Sequence, residues 1–236
     1  MNKILVIIPT YNESENILKI ISDINNLNEN YQILVVDGNS DDDTINIVEK
    51  IIIKNDNISL IKQIKKNGIG GAYCEGFKYA IKNKFSKIIQ IDSDLSHDPK
   101  DIPRLLRFSN NYDLVIGSRY INGISIINWP ISRLFLSYFA NIYAKLITGM
   151  SINDCTGGFK CINVDILKRI NLEKINSQGY SFQIELNYLA YCNNYKIKEI
   201  PIIFKDRKYG NSKMSKRIIF EAIYIVPLMR LKSFFK

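Results

Sequence analysis

The 236-residue chain contains one histidine, one tryptophan, six prolines and four cysteines, and each scarcity removes a class of function. With His97 as the lone histidine, no Ser/His/Asp or Cys/His set exists, so nucleophilic hydrolase chemistry lacks its base. Cys74, Cys155, Cys161 and Cys192 form no C-x-x-C pair. They read as reduced thiols in a cytosolic protein, not as a disulfide frame. No uncharged apolar run reaches about 18 residues, so no membrane-spanning helix is expected. The opening "MNKILVIIP" enters a strand pattern at once and lacks signal-peptide anatomy. Zinc-finger spacing, RNA-binding aromatics and a recognition-helix pattern are all missing, so nucleic acid is not an expected partner.

What is present is enough apolar residue for a sizeable core, 46%, and a net charge of +9. Lys205, Arg207, Lys208, Lys213, Lys216, Arg217, Arg230, Lys232 and Lys236 concentrate the basic excess near the C-terminus. That asymmetry points to an anionic partner, either phosphate or anionic lipid. Short β-branched runs at 3–9, 32–37, 58–63, 87–92 and 113–119 alternate with helical patterns at 14–27, 42–54, 70–83 and 99–108. Near-continuous apolarity implies strands covered on both faces, hence an α/β fold with a mostly parallel central sheet. Helices are expected at 131–150, 181–194 and 216–236, the last interrupted or kinked at Pro227, and a strand at 196–207.

In such folds ligands sit at the carboxyl ends of strands, and the polar motifs fall there. "PTYNE" follows the first strand, "DGNSDDDT" the second and "DSDLSHDP" the fourth. Asp92 and Asp94, two residues apart, project to the same side of an extended chain. Two readings compete for them: a magnesium or manganese site shared with substrate phosphates, or an acidic turn. Asp98 before Pro99 reads as a helix cap, and His97 as a turn or packing residue. Gly68, Gly70 and Gly71 follow the third strand and lack dinucleotide-fingerprint spacing, so they read as a loop and helix start.

Taken in order, "IIPTYNE", "VVDGNSDDDT", "KNGIGGAYCEGF", "IDSDLSHDP", "VIGSRY", "NWPISR", "DCTGGFK" and "FKDRKYGNSKMS" resemble glycosyltransferase family 2, and within it the polyprenyl-phosphate (dolichol-phosphate) mannose synthases. The resemblance runs from residue 3 to about 217. It implies a GT-A-type fold and inverting transfer of a sugar from a nucleotide donor. Carried over by position, Pro9, Tyr11, Glu13, Val36 and Asp37 would hold the nucleoside. Asp92, Ser93 and Asp94 would meet ribose, diphosphate and a Mg2+ or Mn2+ ion bound by Asp92 and Asp94. Arg207 and Lys213 would close over the donor diphosphate, while Arg119, Arg133 and Ser137 would hold a lipid phosphate. Asp154 is expected to organise a loop, sugar hydroxyls or the metal site, and Glu185 to brace a cation. Two departures stand out: Gly38, where relatives often carry Asp against the base, and Ser96, where some carry Gln.

The expected activity is therefore transfer of mannose from GDP-mannose to a polyprenyl monophosphate at the cytoplasmic face of a membrane. UDP-glucose as donor, a hydroxyl acceptor, and a silent nucleotide-sugar or membrane-binding module are the alternatives. Residues 1–215 are expected to form the transferase domain and 216–236 an amphipathic, membrane-surface helix. The aromatic density and flanking cations of that helix and of 131–150 favour peripheral attachment, with a separate membrane protein as a possible recruiter.

Overall fold

The computed structural model describes residues 3–27, 30–170, 172–175, 177, 179–207 and 216–234. Five of its strands fall on the runs expected from sequence: β1 (Ile4–Thr10), β2 (Tyr31–Asp37), β3 (Ile58–Lys62), β4 (Lys87–Gln90) and β5 (Leu114–Ser118). Two residues form β6 (Ile126–Ile127). They are followed by β7 (Lys160–Asn163), β8 (Ile197–Pro201) and β9 (Phe204–Lys205). Seven strands form one sheet in the order β3-β2-β1-β4-β7-β5-β8. All its pairings are parallel except those of β7, which runs antiparallel between β4 and β5. The expected single strand over 196–207 is divided instead. β8 joins the main sheet, and β9 crosses to pair with β6 in a separate two-stranded sheet.

Helices α1 (Ile17–Asn25), α2 (Thr44–Ile52), α3 (Gly68–Lys82) and α4 (Ile102–Phe108) make the crossovers. Their apolar faces and the strands form two buried clusters, one on each side of the sheet. Leu5, Ile7, Phe77 and Phe182 represent one, and Val6, Ile8, Ile20 and Val115 the other. Alternate residues of β1 thus serve opposite cores, as the two-residue period of a strand demands. Asp98 does cap the turn before α4, its carboxylate accepting from the Lys100 amide at 3.0 Å.

The second half adds α5 (Ile131–Thr148), α6 (Val164–Arg169), α7 (Tyr180–Cys192) and α8 (Lys216–Phe234). Instead of being broken by Pro227, α8 continues through it. This helix packs on α5 and α7 and places Val226 and Met229 in the main core. The amphipathic pattern of α5 is turned outward. Ile131, Phe135, Tyr138, Phe139, Ile142 and Leu146 are exposed, while Asn141 and Thr148 are buried. All four cysteines are free thiols. Among the described residues, no helix is long and apolar enough to cross a membrane.

Candidate active site

The carboxyl ends of β1, β2 and β4 open into a cleft of about 390 Å³. Pro9, Tyr11, Gly38, Gln63 and Lys66 line it over β1–β3, and Asp92, Ser93 and Asp94 follow β4. Arg119, Trp129, Arg133, Thr156, Gly158, Gln183 and Arg207 complete the wall from the second half of the chain.

The acidic pair meets a cation. Arg207 sits 3.0 Å from Asp94 through Nη2, and the Ser96 hydroxyl donates to the other Asp94 oxygen at 2.5 Å. The backbone of β9 carries Arg207 there. The Lys205 amide donates to the Ser96 carbonyl and that of Asp206 to Ile127, tying the C-terminal segment across the cleft. Asp92 is half-buried, and its Oδ1 has no hydrogen-bond partner among the described residues. Burial, then the charge on Asp94, push the Asp92 carboxyl up to about 7 against the pull of Arg207 and Arg119. His97 lies between the rings of Phe159 and Phe204 with Nδ1 3.7 Å from Asp92. Burial lowers its pKa to about 4, so at neutral pH it is an uncharged packing residue, as the sequence suggested.

Arg119 and Asp154 form a second centre. The guanidinium grips the carboxylate through two bonds of 2.7 and 2.6 Å, and its backbone amide adds a third. Thr156 accepts from the same guanidinium at 2.8 Å. Burial alone would raise the Asp154 carboxyl, but the Arg119 charge and hydrogen bonds outweigh it and hold the pKa below 3.8. Glu199 in turn accepts from the backbone amides of Asn153 and Asp154, each at 2.9 Å. Asp154 is fully buried and off the cleft lining. Its hydrogen bonds run to Arg119 and Thr156.

Arg133 lines the cleft with its guanidinium 4.1 Å from the Trp129 ring centre and 2.9 Å from Asp206. Ser137, one turn further along α5, lies off the lining and accepts from the Tyr120 hydroxyl at 2.8 Å. The resemblance placed Arg133 and Ser137 on one phosphate; here the serine oxygen is engaged by a tyrosine. Pro9, Tyr11 and Glu13 line the cleft as expected. Val36 and Asp37 are fully buried and off the lining, and Asp37 is engaged by Thr10 and Ser40 at 2.7–2.8 Å. Glu185 accepts from the Ser177 hydroxyl at 2.5 Å, and Lys213 falls outside the described residues.

Sequence reasoning missed Gln63, Lys66, Trp129 and Gln183 on the lining. Gln63 lies one residue beyond a strand end, where its position was the available signal. Gln183 sits inside α7 and gave none. The hard carboxylate oxygens of Asp92 and Asp94, both on the cleft lining, suit a divalent ion. Among the described residues, though, no cluster of three or more acidic, histidine or cysteine side chains exists to encage one.

A mostly parallel sheet with a charged cleft on its carboxyl edge defines an α/β architecture of the GT-A type. The structure superposes with TM-score 0.71 on glucosyl-3-phosphoglycerate synthase from Mycobacterium tuberculosis, solved with Mn2+, UDP-glucose and phosphoglyceric acid. That match covers 98% of this chain and 79% of the other at 16% identity, a likeness of fold. The chain belongs to glycosyl transferase family 2, whose model matches residues 5–170, and is a glycosyltransferase. It is 38% identical to the polyprenol monophosphomannose synthase of Mycolicibacterium smegmatis, over 94% of this chain and 84% of that protein. It is also 34% identical to the undecaprenyl-phosphate mannosyltransferase of Micrococcus luteus, over 94% and 91%.

Proposed function

We propose that this enzyme transfers mannose from GDP-mannose to a polyprenyl monophosphate, with inversion, while resting on the cytoplasmic face of a membrane. The observation that carries this reading is the cleft itself: an acidic pair faced by Arg207, with Arg119 and Arg133 beside it. One ligand carrying a diphosphate and a second carrying a phosphate account for that distribution of charge. The names of the two curated relatives supply the acceptor class and the sugar.

The nucleoside belongs at the end formed by Tyr11, Gly38 and Gln63. Among the described residues, both polar atoms of the buried Gln63 carboxamide lack partners, so it offers one donor and one acceptor to a base edge. A carboxamide serves guanine or uracil, and Gly38 places no acid there, so a uridine donor is the second reading. Arg207 binds the diphosphate with a planar, permanently charged fork. Lys213 joins it in this proposal as a second cation. A Mg2+ or Mn2+ ion on Asp92 and Asp94 would neutralise charge on the leaving nucleoside diphosphate.

Arg119, held rigid by Asp154, and Arg133, flattened on Trp129, receive the acceptor phosphate. With a second pKa of about 6, that phosphate is largely dianionic at neutral pH and needs no general base. Its oxygen bonds to the anomeric carbon as the bond to the nucleoside diphosphate breaks, and the leaving group takes the electron pair. One displacement inverts the centre. The exposed apolar stripe of α5 starts two residues before Arg133, so a membrane under that stripe would deliver the lipid phosphate to the arginine. A separate anchoring protein would be an additional partner.

The test is incubation of the protein with polyprenyl phosphate, Mg2+ or Mn2+, and each labelled nucleotide sugar in turn. Mannose from GDP-mannose should enter the lipid fraction. Glucose from UDP-glucose would move the donor assignment, and no label from any donor would overturn the reading.

A further inference from the structure

Under the cleft, β7 carries Lys160, which is fully buried. Its Nζ donates to Gln183 Oε1 at 2.6 Å and to the Gln183 backbone carbonyl at 3.3 Å. A lysine nitrogen keeps N–H donors whether or not it is protonated, so the amide oxygen faces Lys160 and the NH2 group turns away from it. Gln183 is 2% exposed and lines the cleft, and its Nε2 has no partner among the described residues. Leaving a buried donor unpaired is costly, so this atom points to a ligand.

An acceptor in the same condition stands close by. Asp92 Oδ1 is also buried and, among the described residues, has no hydrogen-bond partner at normal geometry. The buried Tyr73 hydroxyl faces Asp92 as a weak hydrogen-bond donor, outside normal hydrogen-bond geometry, which leaves the carboxylate able to take a closer one. Gly158 separates donor from acceptor. A Cβ there would lie 3.4 Å from both Asp92 oxygens and 3.6 Å from Gln183 Nε2. The small space over Gly158 therefore has a fixed N–H on one side and a carboxylate on the other. A metal ion would be repelled by the N–H group, and a phosphate by the carboxylate. A hydroxyl satisfies both, accepting from Nε2 and donating to Asp92.

The sheet order says which hydroxyl. Gly38 follows β2, while Gly158 precedes β7, three strands away; at ~4.8 Å per strand that is roughly 14 Å. Arg207 and Asp94 lie off β4, between the two. With the base over β2 and the diphosphate over β4, the group reaching β7 is the transferred sugar. We propose that Gln183 and Asp92 together read one hydroxyl of that sugar, and that Lys160 is a positioning residue that locks the amide. This rests on the nucleotide-sugar reading above.

Gln183→Glu keeps a partner for Lys160 but replaces the donor with an acceptor, and Gln183→Met removes the donor without adding charge. Calorimetric affinities for GDP-mannose and UDP-glucose, and separately for GDP and UDP, test the pair. Both variants should bind the nucleotide sugar accepted by the wild type on the order of tenfold more weakly. They should bind the matching nucleoside diphosphate within about twofold of wild type. Lys160→Met should show the same split, whereas a general structural lesion would weaken both ligands. Equal losses for sugar nucleotide and nucleoside diphosphate, or unchanged binding of both, overturn the proposal. A wild-type protein that binds no nucleotide sugar removes the functional reading along with it.

Discussion

Arg119 shows how much one buried charge depends on its partner. Arg119 is 5% exposed and Asp154 is fully buried, so neither can turn to water when the other is lost. Asp154→Asn would leave a charged group uncompensated, and breaking such a pair costs about 3–5 kcal/mol. Urea denaturation at pH 7 should report that loss. The pair should also show in the pH dependence. A carboxyl held below 3.8 in the fold contributes stability that is present above that value and is lost as pH falls through the folded pKa. The wild type should therefore lose stability steeply in strong acid, and the Asn variant should lack that component. An Asn variant as stable as wild type at pH 7 would show that Asp154 is not the counter-charge of Arg119. The residue types at this site were legible in "VIGSRY" and "DCTGGFK", but their pairing across 35 positions was not. Nothing local to either motif says which will be the ligand contact and which the brace.

At the scale of elements, α3 and α7 illustrate a constraint that glycine imposes. A Cβ on Gly70 would lie 2.3 Å from the Ser177 carbonyl and about 3 Å from the Phe182 ring, so the first turn of α3 touches the start of α7 only because no side chain intervenes. Gly70→Ala should cost at least about 1–3 kcal/mol, the usual effect of overpacking, because backbone on both sides must move. A thermal melt checks this, and an unchanged midpoint would mean that the two helices separate easily. The sequence placed the helix start at these glycines but gave no sign of what they approach. In the same way "GGFK" did not reveal that β7 runs antiparallel in the middle of the sheet. A four-residue apolar strand has no marker of direction, and its neighbours β4 and β5 settle the matter through hydrogen-bond register.

For the whole molecule, the question is why α5 turns its apolar stripe outward. Its polar side is needed inside: Arg133 reaches the cleft, Ser137 meets Tyr120, and Asn141 accepts from the Thr156 amide at 3.2 Å. The stripe therefore has no protein surface to cover, and the exposed Ile223, Tyr224 and Leu231 of α8 extend the apolar surface of the helical layer. Replacing Phe135 and Phe139 with Glu should leave the melting temperature within a degree or so, since both side chains already face solvent. It should weaken co-sedimentation with anionic vesicles by on the order of tenfold or more, because burying one Phe is worth about 1.5–3 kcal/mol. Vesicle binding unaffected by the double change would remove α5 from the membrane contact. By itself the sequence determined the strand–helix alternation, the parallel sheet, the cleft edge and the residue types that carry its charge. All of these follow from local periodicity and from where polar motifs interrupt it. Only the tertiary structure decided which carboxylates line the cleft, which is consumed by an arginine, and which face of α5 looks outward. Those outcomes depend on burial and pairing between segments far apart in the chain, and no short-range pattern records them.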